Sequence, residues 1–183
     1  MAEMILYTGP MFSSKTTKLL MQADKRYYQK KKVLAFKSRM DDRYSTEGEI
    51  VSHNLGKIPA KLVEKGSEII EIVANFSENL DCVIIDELFL IEGAAEACQI
   101  LFKKGYDVII ASIDLSFEGK PFDEVKEIMP YCTRIIKCKA VCPVCSSDAR
   151  YTYRKIDDKS EILVGADDIY EPRCQLHYDY MKA

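Results

Sequence analysis

Two pairs of soft metal donors, Cys142-Pro-Val-Cys145 and Cys174-Gln-Leu-His177, constrain the fold of this chain most tightly, because each C-x-x-[CH] spacing lets one tight turn present both donors. A Cys3His set makes a closed tetrahedral site that keeps no position open for water, so it holds structure rather than performing chemistry. Structural Zn2+ bound by Cys142, Cys145, Cys174 and His177 is the expectation. The chain has seven cysteines, an odd number. Cys82, Cys98 and Cys138 sit in apolar segments that read as core and Cys132 in a short polar turn, a pattern that fits reduced thiols better than a disulfide framework.

At the other end, the apolar run Met4-Ile-Leu-Tyr-Thr8 leads into Gly9-Pro-Met-Phe-Ser-Ser-Lys-Thr16, and from Lys15 to about Lys30 apolar residues recur at helical spacing (Leu19, Leu20, Ala23, Tyr27). This is strand, loop, helix. A phosphate loop needs glycine so that the backbone can wrap phosphate, a lysine that reaches the terminal phosphates, and a hydroxyl for Mg2+ at the helix start. Gly9, Lys15 and Thr16 supply them, and the expected ATP contacts are Gly9, Pro10, Met11, Phe12, Ser13, Ser14, Lys15 and Thr16. The strict pattern has glycine where this chain has Ser14; if that backbone requires positive φ, serine costs on the order of 1 kcal/mol. The plainer alternative is a strand-to-helix turn in which Ser13 or Ser14 caps the helix. A second acidic element strengthens the phosphate reading. Cys82-Val-Ile-Ile-Asp86-Glu87 is an apolar strand ending in two carboxylates, with Asp86 suited to the Mg2+ shell and Glu87 to a general base.

Further strands are expected at 30–36, 107–113 and 134–138, and helices at 67–76 and 93–104; the stretch 41–56 reads as a loop with a short strand at 50–53. Apolar strands alternating with helices imply a parallel α/β sheet covered on both faces. Beyond Lys139 the helical pattern stops, and 150–154 with 161–164 reads as a strand pair around a charged loop. The expected division is a phosphate-loop nucleotide-binding unit over 1–138 and a zinc-binding unit over 139–183, which the resemblance below implies carries a substrate-covering loop.

Charge is nearly balanced at a formal net of -3, which provides no broad cationic field for nucleic acid, so direct nucleic-acid binding is not expected. The first residues lack a basic, apolar leader pattern and no window approaches a membrane span. A cytoplasmic protein with no membrane partner is expected.

Several ordered motifs together resemble the type II, zinc-containing thymidine kinase family almost end to end. Gly9-Pro-Met-Phe-Ser13 with Lys15-Thr16 resembles its phosphate loop; Asp41-Asp-Arg43-Tyr44 and Ser52-His53 resemble its D-x-R-Y and S-H segment; Asp86-Glu87 stands at its two carboxylates. Asp114-Leu-Ser-Phe117 with Pro121-Phe122 resembles its D-x-[TS]-F and P-F stretch, and Gly165-Ala-Asp and Tyr170 precede Cys174 at its spacing. The resemblance implies a RecA-like parallel sheet flanked by helices, a small C-terminal zinc domain with a covering loop, and an ATP-dependent kinase that phosphorylates the 5'-hydroxyl of thymidine in salvage for DNA synthesis. It implies Glu87, Lys15 and Arg43 as catalytic, Thr16 and Asp86 at Mg2+, and Leu20, Asp41, Ile113, Phe117, Phe122, Thr152, Leu163 and Tyr170 at the nucleoside. His53 is a further candidate of the loop. Feedback binding of thymidine triphosphate and a homotetramer are implied as well. Two departures stand out, Ser14 and Phe89, the latter where the family pattern D-E-[GAV]-Q-F-F has glutamine. They keep two neighbouring readings open: a nucleotide-binding paralogue with weakened turnover, and a deoxynucleoside kinase with altered base preference.

Overall fold

The computed structural model describes residues 2–40, 48–52, 56–77, 79–158, 160, 163, 165 and 167–178. Asp41, Arg43, Tyr44 and His53 lie outside the described residues. Strands β1 (Met4–Thr8), β2 (Val33–Ser38), β3 (Glu49–Ser52), β4 (Gly56–Pro59), β5 (Lys61–Val63), β6 (Cys82–Asp86), β7 (Asp107–Ser112) and β8 (Arg134–Lys137) alternate with helices α1 (Lys15–Tyr28), α2 (Gly66–Ala74), α3 (Ala94–Lys103) and α4 (Asp123–Ile128). Six of the strands form one parallel sheet in the order β5-β2-β6-β7-β1-β8.

Strands β1, β6 and β7 are buried at every position and apolar along their middles because both of their faces are covered. On one face Met4, Leu6, Val83, Ile85, Val108 and Ile110 pack against Ile69 and Val73 of α2, Cys98 and Leu101 of α3, and Val125 and Ile128 of α4. On the other, Ile5, Tyr7, Ile84, Ile109 and Ala111 meet Leu19, Leu20 and Ala23 of α1, with Ile50 of β3 closing the layer. Each fully buried Ile or Leu contributes about 1.5–3 kcal/mol. The alternation follows from the two-residue period of a strand: neighbours in sequence feed opposite layers.

Parallel strands place all their carboxyl ends at one edge, and the register sets Thr8 of β1 opposite Ser112 of β7 and Lys37 of β2 opposite Asp86 of β6. The loops that leave this edge carry the candidate chemistry. After β8 the chain leaves the sheet and builds two small antiparallel pairs, β9 (Ala140–Val141) with β10 (Asp148–Ala149) and β11 (Tyr151–Arg154) with β12 (Tyr170–Arg173). Of the expected strand 161–164 only Leu163 is among the described residues, and the partner seen for β11 is Tyr170–Arg173. Lys155 N–H donates to the Ile169 carbonyl at 2.8 Å, so the pairing continues to the mouth of the loop and puts the hairpin's return arm directly before Cys174. No helix among the described residues is long and apolar enough to cross a membrane.

Candidate active site and metal centre

Gly9 opens the loop after β1 with φ 141, and a Cβ there would lie 2.3 Å from the Cys138 carbonyl oxygen, so only glycine fits. Cys138 N–H in turn donates to the Thr8 carbonyl at 2.6 Å. Phe12 and Ser14 also adopt left-handed backbone, with φ of 62 and 60. Ser14 thus meets the condition under which serine is strained relative to glycine.

The helix that follows has no side-chain cap at its N-terminus and no acidic residue in its first turn. Ser13 Oγ instead donates to the Pro10 carbonyl at 2.8 Å, which sets aside the plainer cap alternative. The positive end of α1's dipole makes this terminus receptive to an anion. Lys15 is buried, and its ammonium donates to the Pro10 carbonyl at 2.6 Å. Desolvation lowers the Lys15 pKa, while Glu87, Asp86, Cys138 and Asp114 pull the other way. The carboxylates of Glu87, Asp86 and Asp114 thus favour the positive charge that Lys15 places at the base of the loop.

Thr16 Oγ1 lies 3.3 and 3.2 Å from the two carboxylate oxygens of buried Asp86, joining the helix start to the end of β6. A hydroxyl and a carboxylate are the hard oxygen donors that Mg2+ prefers. Glu87 follows in left-handed backbone, φ 52 and ψ 48, a conformation a non-glycine residue adopts at a cost, and its own N–H donates to Asp86 Oδ1 at 3.1 Å. Behind the loop, a cavity of about 290 Å³ is lined by Gly9, Pro10, Asp114, Lys137, Cys138, Lys139 and Arg150, with the Lys137 ammonium on Asp114 Oδ2.

Beside these groups is a separate apolar cluster. Met11, Ile113 and Tyr170 are buried in it, with Phe89, Phe117, Phe122, Leu163 and Ile169 packed around them; the Phe89 and Phe122 rings are 4.5 Å apart. Of the expected nucleoside contacts, Ile113, Phe117, Phe122, Leu163 and Tyr170 are brought together here. Thr152 reaches the cluster's edge, its Oγ1 accepting from Met11 N–H at 3.1 Å. Leu20 is placed elsewhere, between α1 and the sheet with Ile5, Tyr7 and Ala23; its helical phase turns it inward. Asp41 and Arg43 lie outside the described residues.

The sequence analysis did not single out Ile169 or Arg154. Arg154 had a signal: in a strand it shares a face with Thr152, and an arginine on a buried face implies a partner for its charge. The same C-terminal segment brings Cys142, Cys145, Cys174 and His177 together, their donor atoms all within 4.8 Å of one another. Cys174 Sγ is 3.2 Å and Cys142 Sγ 3.8 Å from His177 Nδ1, and Cys145 Sγ is 3.6 Å from Cys174 Sγ. At Cys142, burial opposes ionisation, yet backbone amides of Cys174, Val144 and Cys145 bring the thiol down to about 6. Four donors at mutual distances suited to one small ion, with one thiol already inclined to ionise, are compatible with structural zinc.

A family model described as thymidine kinase matches residues 2–178.

Proposed function

Because this chain belongs to the thymidine kinase family, a family of ATP-dependent nucleoside kinases, we propose that it transfers the γ-phosphate of ATP to the 5'-hydroxyl of thymidine. The observation that carries this reading is the meeting of two unlike surfaces at one sheet edge. The uncapped N-terminus of α1 with Lys15, Thr16, Asp86 and Glu87 suits a polyphosphate, and the Met11, Ile113, Phe117, Phe122 and Tyr170 cluster suits a flat, neutral base.

In this reading Lys15 exchanges the Pro10 carbonyl for phosphate oxygens when nucleotide binds. Thr16 and Asp86 would hold Mg2+, which supplies charge neutralisation on the phosphates. Glu87 accepts the proton of the 5'-hydroxyl as that oxygen attacks phosphorus, and Arg43, by resemblance, offsets charge on the transferred group. Asp41 is assigned to the nucleoside on the same basis. Zinc at the Cys3His cluster stabilises 139–183, the unit that carries the covering loop, while 1–138 binds nucleotide. Phe89 presents a ring against Phe122 at a position where the family has an amide, and this favours a second reading in which base preference has shifted.

The wider reading is a cytoplasmic homotetramer subject to feedback by thymidine triphosphate, with no direct binding to nucleic acid. Exposed Met21 and Tyr28 on α1, and Ile135 on the edge strand β8, are apolar groups that an assembly could cover. Light scattering at micromolar protein with nucleotide should give four chains; a monomer rejects the assembly.

The deciding experiment measures phosphate transfer from labelled ATP to thymidine, the other deoxynucleosides and uridine, for wild type and Glu87→Gln. The variant keeps shape but cannot accept the proton, so kcat should fall about 10²- to 10⁴-fold with thymidine binding little changed. Near-normal kcat in the variant would remove Glu87 from the role, and a wild type that phosphorylates no nucleoside would replace the kinase reading with that of a nucleotide-binding paralogue.

A further inference from the structure

We propose that Arg154 is the positioning residue that fastens the described parts of the loop after β11, at Asp158, Ser160 and Leu163, beside the apolar cluster, by gathering them and Tyr170 onto one buried cation. Arg154 is buried and stands directly opposite Tyr170 in the β11–β12 pair, at the mouth of the loop. Its Nη1 donates to the carbonyls of Asp158 at 2.8 Å and Ser160 at 2.5 Å, both on the outgoing arm. Its Nη2 donates to the Tyr170 hydroxyl at 2.9 Å, and that hydroxyl donates onward to the Leu163 carbonyl at 2.8 Å on the far side of the loop. The guanidinium lies 3.6 Å from the centre of the Phe117 ring, which belongs to the segment after β7.

One planar cation therefore links three pieces of chain: the outgoing arm, the return arm and the body of the protein. Each link uses a different property of guanidinium. The fork of N–H groups satisfies several oxygens in fixed directions, and the flat face rests on an aromatic ring. An ammonium has the charge but neither the fork nor the face. Because Leu163, Tyr170 and Phe117 also line the apolar cluster, the clamp sets the shape of its outer wall. Assigning that wall to the nucleoside rests on the kinase reading given above; fastening of the loop does not.

The test uses full-length, zinc-bound protein carrying Arg154→Lys, and a milder variant, Tyr170→Phe, which deletes only the hydroxyl between Arg154 and Leu163. Trypsin cleavage within 155–169 in the absence of any nucleoside should speed up about tenfold in Arg154→Lys and about threefold in Tyr170→Phe, as lost charge-assisted and neutral hydrogen bonds loosen the loop. Unchanged cleavage in both variants overturns the clamp. In the kinase assay the KM for thymidine should rise about tenfold in Arg154→Lys while the KM for ATP stays within about twofold. Equal increases for both substrates would mean general disturbance of the fold and would overturn the positioning role. If wild type phosphorylates no nucleoside, the kinase reading fails, and the cleavage rates alone still uphold or reject the clamp.

Discussion

At the residue scale, the loop after β1 uses left-handed backbone at two non-glycine positions, and Ser14 is the one next to the lysine. A left-handed serine costs on the order of 1 kcal/mol relative to glycine, but glycine also gives the unfolded chain more freedom by roughly 0.4–1 kcal/mol. The two effects offset, so Ser14→Gly should leave the melting temperature nearly unchanged. Removing the Cβ does give the backbone a closer approach to phosphate, and kcat/KM for ATP should rise, up to about tenfold. A lower kcat/KM in steady-state assays would show that the loop has adapted to serine. Here the sequence was readable in kind: the missing glycine could be named, although only the backbone establishes that position 14 is left-handed. Glu87 was legible as a carboxylate at a strand end, whereas its left-handed turn had no sequence signal, since glutamate is not a residue that favours positive φ.

Among the elements, the junction between the end of α1 and the start of β7 is held by an ionic knot. Buried Arg26 lies 3.2 Å from Asp107 Oδ2, Lys31 Nζ lies 3.2 Å from the same oxygen, and Glu3 N–H donates to Asp107 Oδ1 at 3.0 Å. Burial alone would raise the Asp107 carboxyl, but the Glu3 amide, Lys31 and Arg26 outweigh it and hold the carboxyl below its usual range. A carboxyl depressed in the folded state contributes stability above its unfolded pKa and loses it as pH falls through the folded value. Denaturant unfolding should show this loss below about pH 4. Asp107→Asn should flatten that acid limb and cost about 2 kcal/mol at neutral pH, less than a fully buried break because Lys31 is partly exposed. An unaltered acid limb in the variant would show that Asp107 does not carry it.

Elements with continuous apolar runs, such as β6 and β7, were legible because burial on both faces writes itself into every position. The six-residue α4 was not, since only Val125 and Ile128 turn inward and two residues make no period. Nor was β12: Tyr-Glu-Pro-Arg alternates too weakly to compete with Ile162-Leu163-Val164, and the pairing is decided by Arg154 and Tyr170 facing each other, a relation between side chains rather than a pattern along the chain.

For the whole molecule, the segment after β8 touches the rest of the chain, among the described residues, at Met11 and at Phe117. Thr152 accepts from Met11 in the loop after β1, and the Tyr178 hydroxyl donates to the Phe117 carbonyl. Zinc removal should therefore have consequences at a distance. Binding worth on the order of 10 kcal/mol is tied to folding of such a module, so strong chelation should collapse β9 to β12 while the helices of the body persist. The chain has no tryptophan, and Tyr151, Tyr153, Tyr170 and Tyr178 lie in this segment, with Tyr151 and Tyr178 stacked at 4.5 Å. Near-ultraviolet dichroism should fall on chelation with far-ultraviolet helix signal largely retained, and recover when zinc is returned. Loss of both signals together would mean the body cannot stand without the module.

The position of β1 between β7 and the edge strand β8 has a further consequence during synthesis on the ribosome. Met4–Thr8 leaves the ribosome before both of its neighbours, β7 and β8, the nearer of which begins about a hundred residues later. At roughly 5–20 residues per second, this sticky segment waits on the order of 5–20 s for a partner. Stalled nascent chains ending before β7 should be captured by holdase chaperones through the Met4–Thr8 segment, and chains extended past β8 should escape.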